Sequence, residues 1–282
     1  MENTTRSAQN VQSSATKKSI IVALVYDVDK TLISTNMQEF DLIPKRLSQT
    51  PNDFWNQSDS IALEQDADNN LAYMLLTLQL AKENGITKDE LKSLGQKVPL
   101  FKGVKEWFER INRYGEKLGI QIEHYVISSG LSEMIEGMEI AKEFKKIYAN
   151  RFMYDEKGIA CWPARIMNYT GKTQALFRIS KGCLQETDTS LNDRQEENRI
   201  PFKNFVYFGD GMTDVPCMAI LQKHEGHCIG IYTDNKKTAN KLLNDRRVNI
   251  IAPSDYSDGS KIDQYVKALL QKIKADENLA SL

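Results

Sequence analysis

Apolar residues in this chain fall into two textures: short unbroken runs that stop at polar residues, and longer stretches with helical spacing. The first run, Ile20 to Tyr26, is apolar throughout, which predicts a strand buried on both faces. Ile120–Ile127, Ile147–Phe152, Asn204–Phe208, Ile229–Tyr232 and Val248–Ala252 predict further strands. Between them, Val104–Tyr114, Thr173–Lys181 and Lys261–Lys274 place apolar residues three and four apart and predict helices. Tyr154 to Gly158 reads as the turn of a hairpin. Strands alternating with helices predict an α/β fold, a parallel sheet joined by right-handed crossovers.

The texture changes between residues 36 and 98. Leu71, Met74, Leu75, Leu78 and Leu80 recur at helical spacing, Lys88 to Leu94 reads as another short helix, and little suggests a strand. A stretch this long exceeds what one crossover helix needs. It predicts a small helical domain inserted into a core made of residues 19–35 and 99–282. Residues 1–18 are rich in Ser, Thr, Asn and Gln without apolar periodicity and read as a disordered leader. Gln185 to Arg199 is polar and charged and reads as an exposed loop.

Composition narrows the partners. The formal net charge of −1 offers no basic balance for a nucleic acid. Ile20–Tyr26 is the longest apolar run, far short of the ~20 residues of a membrane span. Cys161, Cys183, Cys217 and Cys228 form no CxxC pair and read as reduced thiols in a cytoplasmic protein. His224 and His227 form an HxxH, but beyond Cys228 nothing nearby completes a zinc set.

The strand ends carry the chemistry. The first run stops at Asp27-Val28-Asp29-Lys30-Thr31, and two carboxylates so close repel unless a cation, a proton or hydrogen bonds compensate. An EF-hand loop also begins Asp-x-Asp, but its sixth and twelfth positions would hold Leu32 and Gln38 in place of Gly and Glu. A second strand ends in Ser128-Ser129-Gly130, whose hydroxyl and backbone N–H groups suit an anion. A third ends in Gly209-Asp210-Gly211-Met212-Thr213-Asp214, whose two acids can face one cleft. Carboxylates gathered at a sheet edge make a hard oxygen site suited to Mg²⁺. Lys172, at a helix start, adds a positive charge; it belongs to no P-loop, whose first glycine would fall at Ile166. Cation, lysine, hydroxyl and carboxylate are the parts of a phosphoryl-transfer site.

In this order the motifs resemble the haloacid dehalogenase-like (HAD) superfamily, in its phosphatase branch, nearest the phosphoserine-phosphatase-like group. The resemblance covers about residues 20 to 275 and rests on Asp27-Val28-Asp29-Lys30-Thr31, Ser128, Lys172 and Asp210 to Asp214. It implies a Rossmann-like three-layer α/β core with a mobile helical cap of the C1 type at residues 36–98. It also implies roles. Asp27 is the nucleophile that becomes an aspartyl-phosphate, and Asp29 is the general acid/base, its backbone carbonyl on the metal. Ser128, Ser129 and Lys172 hold the phosphate; Asp27, Asp29 and Asp210 hold Mg²⁺; Thr31, Gly211 and Asp214 support them. The implied activity is hydrolysis of a small phosphorylated metabolite.

Two departures stand out. Lys30 occupies a position where many members carry Gly. Where phosphoserine phosphatases carry a substrate-reading glutamate, this chain has Asn36, with Glu39 three residues later, which counts against phosphoserine as the substrate. Acids outnumber bases ten to six between residues 36 and 98, so the cap is not built for a polyanion. Two other readings stay open at this point: a phosphotransferase or phosphomutase on the same scaffold, and a catalytically idle binding module. Oligomeric state is not legible.

Overall fold

The computed structural model describes residues 19–81 and 84–282; the leader read at residues 1–18 lies outside them. The centre is a seven-stranded sheet. Its strands are β1 (Ile20–Tyr26), β2 (Ile120–Leu131), β3 (Lys146–Tyr154), β4 (Ala160–Arg165), β5 (Phe205–Gly209), β6 (His227–Tyr232) and β7 (Ile250–Pro253), in the order β4-β3-β2-β1-β5-β6-β7. Every neighbouring pair is parallel except β3 with β4, which forms the expected hairpin. The sheet and its flanking helices make the α/β core that the alternation of strands and helices predicts.

Strand β1 shows why the sheet is covered on both faces. Val22, Leu24 and Tyr26 enter one core and Ala23 and Val25 the other, the period of two that a pleated strand imposes. The first core takes its helical side from α4 (Val104–Lys117) and α9 (Lys261–Ala280), through residues such as Trp107, Phe108, Val266 and Leu270. The second is closed by α6 (Tyr169–Lys181), α7 (Val215–Lys223) and α8 (Lys237–Asn244), through Leu176, Ile179, Met218 and Leu242.

Residues 36–98 hold α1 (Pro51–Gln65), α2 (Asn69–Ala81) and α3 (Lys88–Gly95), preceded by two short irregular turns. Helix α1 starts as chemistry dictates: the Thr50 hydroxyl accepts the Asp53 N–H at 3.1 Å and Pro51 takes the first turn. Helix α3 lies hard against α5 (Ser132–Gly137) of the core. A Cβ added to Gly95 would stand 1.9 Å from the Met134 carbonyl oxygen, so only glycine permits this approach.

One strand runs past its expected end. The run ending at Ile127 continues to Leu131, because β2 passes through an irregular stretch between Ile127 and Leu131 before rejoining β3. The loop 185–199 is largely exposed as expected, and it is anchored from beneath: buried Arg178 donates to the carbonyls of Cys183, Gln185, Glu186 and Asp188.

A buried carboxylate pins the same loop to the sheet. Glu123 on β2 is 4% exposed and accepts from the two terminal guanidinium nitrogens of Arg199 (2.8 and 2.6 Å), from Lys145 and from Tyr125. Burial pushes this carboxyl up, but the bonds from Arg199, Lys145 and Tyr125 outweigh it and hold it at about 2. A folded-state pKa below the unfolded one stabilises above the unfolded value, near 4.5, and that contribution fades as pH falls toward 2. Glu123→Gln is expected to cost about 2 kcal/mol at pH 7. Melts across a pH series check this: the gap to wild type should narrow below pH ~4, and a gap independent of pH would refute the assignment.

Candidate active site

All the strand-end acids read from the sequence lie at the carboxyl ends of β1 and β5, which are neighbours in the sheet. The Asp27 N–H donates to the Phe208 carbonyl at 2.9 Å, continuing the β1–β5 ladder one step past the strand. That contact brings the two acidic motifs together. The chain then turns sharply. The N–H groups of Thr31, Leu32 and Ile33 all point at the Val28 carbonyl, and Lys30 takes a left-handed conformation with φ of 56°. The preference for Gly here has a plain cause, since a side chain in this conformation costs about 1 kcal/mol or more.

Lys172 is the hub. It is fully buried, and its Nζ lies 2.8 Å from Asp27 Oδ2 and 2.8 Å from Asp214 Oδ1. Burial alone would lower its pKa, but the carboxylates of Asp214 and Asp27 outweigh that and raise it, so the ammonium stays charged. Its helix is placed by Asn168, whose Oδ1 accepts the Gly171 N–H at 3.0 Å and caps α6. The other Asp27 oxygen accepts the Val28 N–H at 2.7 Å. Asp214 is also gripped by the Tyr207 hydroxyl (2.8 Å) and by the Gly211 N–H (3.3 Å). Gly209 makes room for it, because a Cβ there would fall 2.4 Å from Asp214 Oδ2.

Carboxylate oxygens of Asp27, Asp210 and Asp214 lie within 4.8 Å of one another. Asp210 accepts no hydrogen bond among the described residues. Its carboxyl is pushed up to about 8 by burial and then by the charges of Asp214 and Asp27. Asp214 is raised too, chiefly by burial, with Lys172 pulling the other way. Clustered hard oxygens with too little positive charge nearby fit a divalent cation such as Mg²⁺. The Asp29 carboxylate is not in this cluster. Its Oδ1 turns away to accept the Met37 N–H at 2.9 Å, from the short turn Met37–Glu39. Burial, then the charge of Asp27, raises its carboxyl to about 7.

The remaining predicted residues are placed as follows. Ser128 is fully buried, and its Oγ accepts the Gly130 N–H at 3.1 Å. The Ser129 hydroxyl points elsewhere, donating to the Met167 carbonyl at 2.8 Å, so only its backbone is left to face an anion. The Thr31 hydroxyl is buried with no partner, while the Thr31 carbonyl accepts the Tyr256 hydroxyl at 3.1 Å. Sequence reasoning missed Tyr207. Its only signal is its position on β5, on the same sheet face as α6, and nothing local marks its hydroxyl as a partner for an acid seven residues on.

The Putative Phosphatase family model matches residues 21–265. An uncharacterized protein of Borreliella burgdorferi is 29% identical over 277 residues, covering 87% of this chain and 95% of that protein. Among solved structures, a substrate-bound phosphoserine phosphatase superposes with a TM-score of 0.53 at 15% identity, covering 82% of this chain and 91% of the other. A HAD family hydrolase from Salmonella enterica serovar Typhi gives 0.52 at 19% identity, over 74% of this chain but only 62% of that one, less than two thirds of its length. With the sheet order, the paired acidic motifs and this match across most of its length, the chain belongs to the Putative Phosphatase family and has the haloacid dehalogenase-like fold.

Proposed function

We propose that this protein is a Mg²⁺-dependent phosphatase that hydrolyses a small phosphorylated metabolite through an aspartyl-phosphate. The observation that carries the reading is buried Lys172 held at 2.8 Å from both Asp27 and Asp214, with Asp210 alongside and Asp29 set apart. Asp27 is held by Lys172 and the Val28 N–H in one orientation, as a nucleophile must be. Its carboxylate attacks phosphorus, the bond to the leaving oxygen breaks, and Asp29 gives that oxygen its proton. Asp29 then takes a proton from water, the water oxygen attacks phosphorus, and the Asp27 carboxylate is released with orthophosphate. One group can serve both steps when its pKa lies near the working pH, and Asp29 at about 7 meets that condition.

Asp27, Asp210 and the Asp29 carbonyl would hold Mg²⁺, and the ion would neutralise charge on the transferring group. Ser128 and the adjacent backbone would receive the phosphate with Lys172. The Met37 contact to Asp29 places the start of residues 36–98 directly over the acid, which supports a cap that excludes water and selects a small substrate. No helix among the described residues is long and apolar enough to cross a membrane, and all four cysteines are free thiols, which supports a cytoplasmic location. The test is orthophosphate release from p-nitrophenyl phosphate with Mg²⁺ and with excess chelator. Mg²⁺-dependent turnover is expected, and no release under either condition overturns the reading.

Asp29→Asn is expected to lower kcat by ~10²–10⁴-fold with a much smaller change in Mg²⁺ affinity, because only the backbone carbonyl would hold the ion. Single-turnover kinetics beside Mg²⁺ titration check this. Loss of metal binding with intact single-turnover chemistry would show the roles to be misassigned.

A further inference from the structure

Asn150 on β3 is fully buried and touches three segments that meet at the proposed phosphate site. Its Nδ2 donates to the Ser129 carbonyl at 2.7 Å and to the Tyr73 hydroxyl at 2.8 Å. Its Oδ1 accepts the Met167 N–H at 2.6 Å. The junction closes on itself: the Tyr73 hydroxyl donates to the Ser129 carbonyl at 3.0 Å, and the Ser129 hydroxyl donates to the Met167 carbonyl at 2.8 Å. Ser129 belongs to the irregular stretch after Ile127, Met167 leads into the helix that carries Lys172, and Tyr73 comes from α2 of the inserted segment.

We propose that Asn150 is a positioning residue for phosphate binding, setting the Ser128–Gly130 turn against the Lys172 helix and making that alignment depend on the cap through Tyr73. The physical argument is one of saturation. The amide uses both its donor and its acceptor side: two bonds fix the Ser129 carbonyl and the Met167 N–H, backbone groups that no helix or regular ladder holds, and the third holds the Tyr73 hydroxyl. The Ser129 carbonyl has two side-chain donors, one from the core and one from the cap. Lifting α2 away removes the Tyr73 donor and leaves the turn on Asn150 alone. Asn70 of α2 adds a second tie, donating to the Met167 carbonyl at 3.3 Å. Substrate that orders the turn therefore favours the docked cap, and the docked cap favours phosphate, as linkage requires.

This inference rests on the proposed phosphatase reading, and the experiment separates the two. Asn150→Ala, Tyr73→Phe and the double variant are made in the full chain and first checked for a cooperative melt. The readouts are KM and kcat for p-nitrophenyl phosphate, inhibition by orthophosphate, and Mg²⁺ half-saturation. Asn150→Ala is expected to weaken orthophosphate inhibition and raise KM by about tenfold, the worth of one or two hydrogen bonds. Tyr73→Phe should act in the same direction by about threefold, and the double variant by more than the product, since Ser129 then loses both donors. Mg²⁺ half-saturation should stay within twofold, which general loosening of the fold would not allow. If Asn150→Ala does not melt cooperatively, Tyr73→Phe alone decides. KM and orthophosphate inhibition within twofold of wild type in the folded variants, or a parallel loss of Mg²⁺ affinity, overturns the inference while the phosphatase reading stands. A wild type that neither hydrolyses the ester nor binds orthophosphate overturns both.

Discussion

Asp27→Asn is expected to abolish turnover, with kcat falling by at least about 10⁴-fold, because an amide is a far weaker nucleophile than a carboxylate. The substitution keeps the volume and still presents an oxygen to the Val28 N–H. It turns a donor toward Lys172 if the amide keeps the native orientation, but Lys172 retains Asp214 at 2.8 Å as an anionic partner. The protein should therefore still fold, as a cooperative melt would show. Rapid quench with radiolabelled substrate should recover an acid-stable phosphoenzyme from wild type and none from the variant. Activity within tenfold of wild type would remove Asp27 from the nucleophile's role.

Removing the lysine should injure both stability and chemistry. In Lys172→Met two carboxylates, Asp27 at 5% and Asp214 at 0% exposure, lose the cation between them. Leaving buried charge uncompensated costs about 3–5 kcal/mol, or roughly 10 °C in a chain of this size. Mg²⁺ would recover part of that loss, so melts belong in chelator. Adding Asp214→Asn should then restore much of the stability, because one of the two orphaned charges is gone, and should restore no activity, because nothing replaces the positive charge on the phosphoryl group. A Lys172→Met melt within about 2 °C of wild type would mean that the pairing is not what holds this site.

The core strands and the paired acids were legible because they are local. Asp27 and Asp29 announce themselves by ending an apolar run, and the run coincides with β1. Other elements were hidden for physical reasons. Helix α1 buries little beyond Phe54, Ser58 and Ala62, so its pattern is faint, although Thr50, Pro51 and Asp53 mark its start. Helix α7 is apolar on several sides because it lies between strands and neighbours, which erases the period of 3.6. Strand β4 contains Pro163, tolerable only because it is an edge strand, and edge status is a property of the sheet.

By itself, the sequence determined the candidate residues and the order in which they arrive: acids after the first strand, hydroxyls in the irregular end of the second, a lysine near a helix start, acids after a later strand. Residue type and spacing set these, since a polar group interrupts the regular pairing of a buried strand. Which atom faces which was decided only in three dimensions. Lys172 stands 145 residues from Asp27, and their 2.8 Å contact exists because α6 packs on the sheet face that Ala23 and Val25 of β1 share. The Ser129 hydroxyl is committed to the Met167 carbonyl, which leaves Ser129 only the backbone that the sequence reading assigned to an anion, and the Asp29 carboxylate turns from the acid cluster to the Met37 N–H. Asn150, unremarkable in its run, becomes a junction because β3 lies beside the irregular part of β2. A hydrogen bond is settled by ångströms and angles, and those come from packing the whole core, not from the few residues on either side.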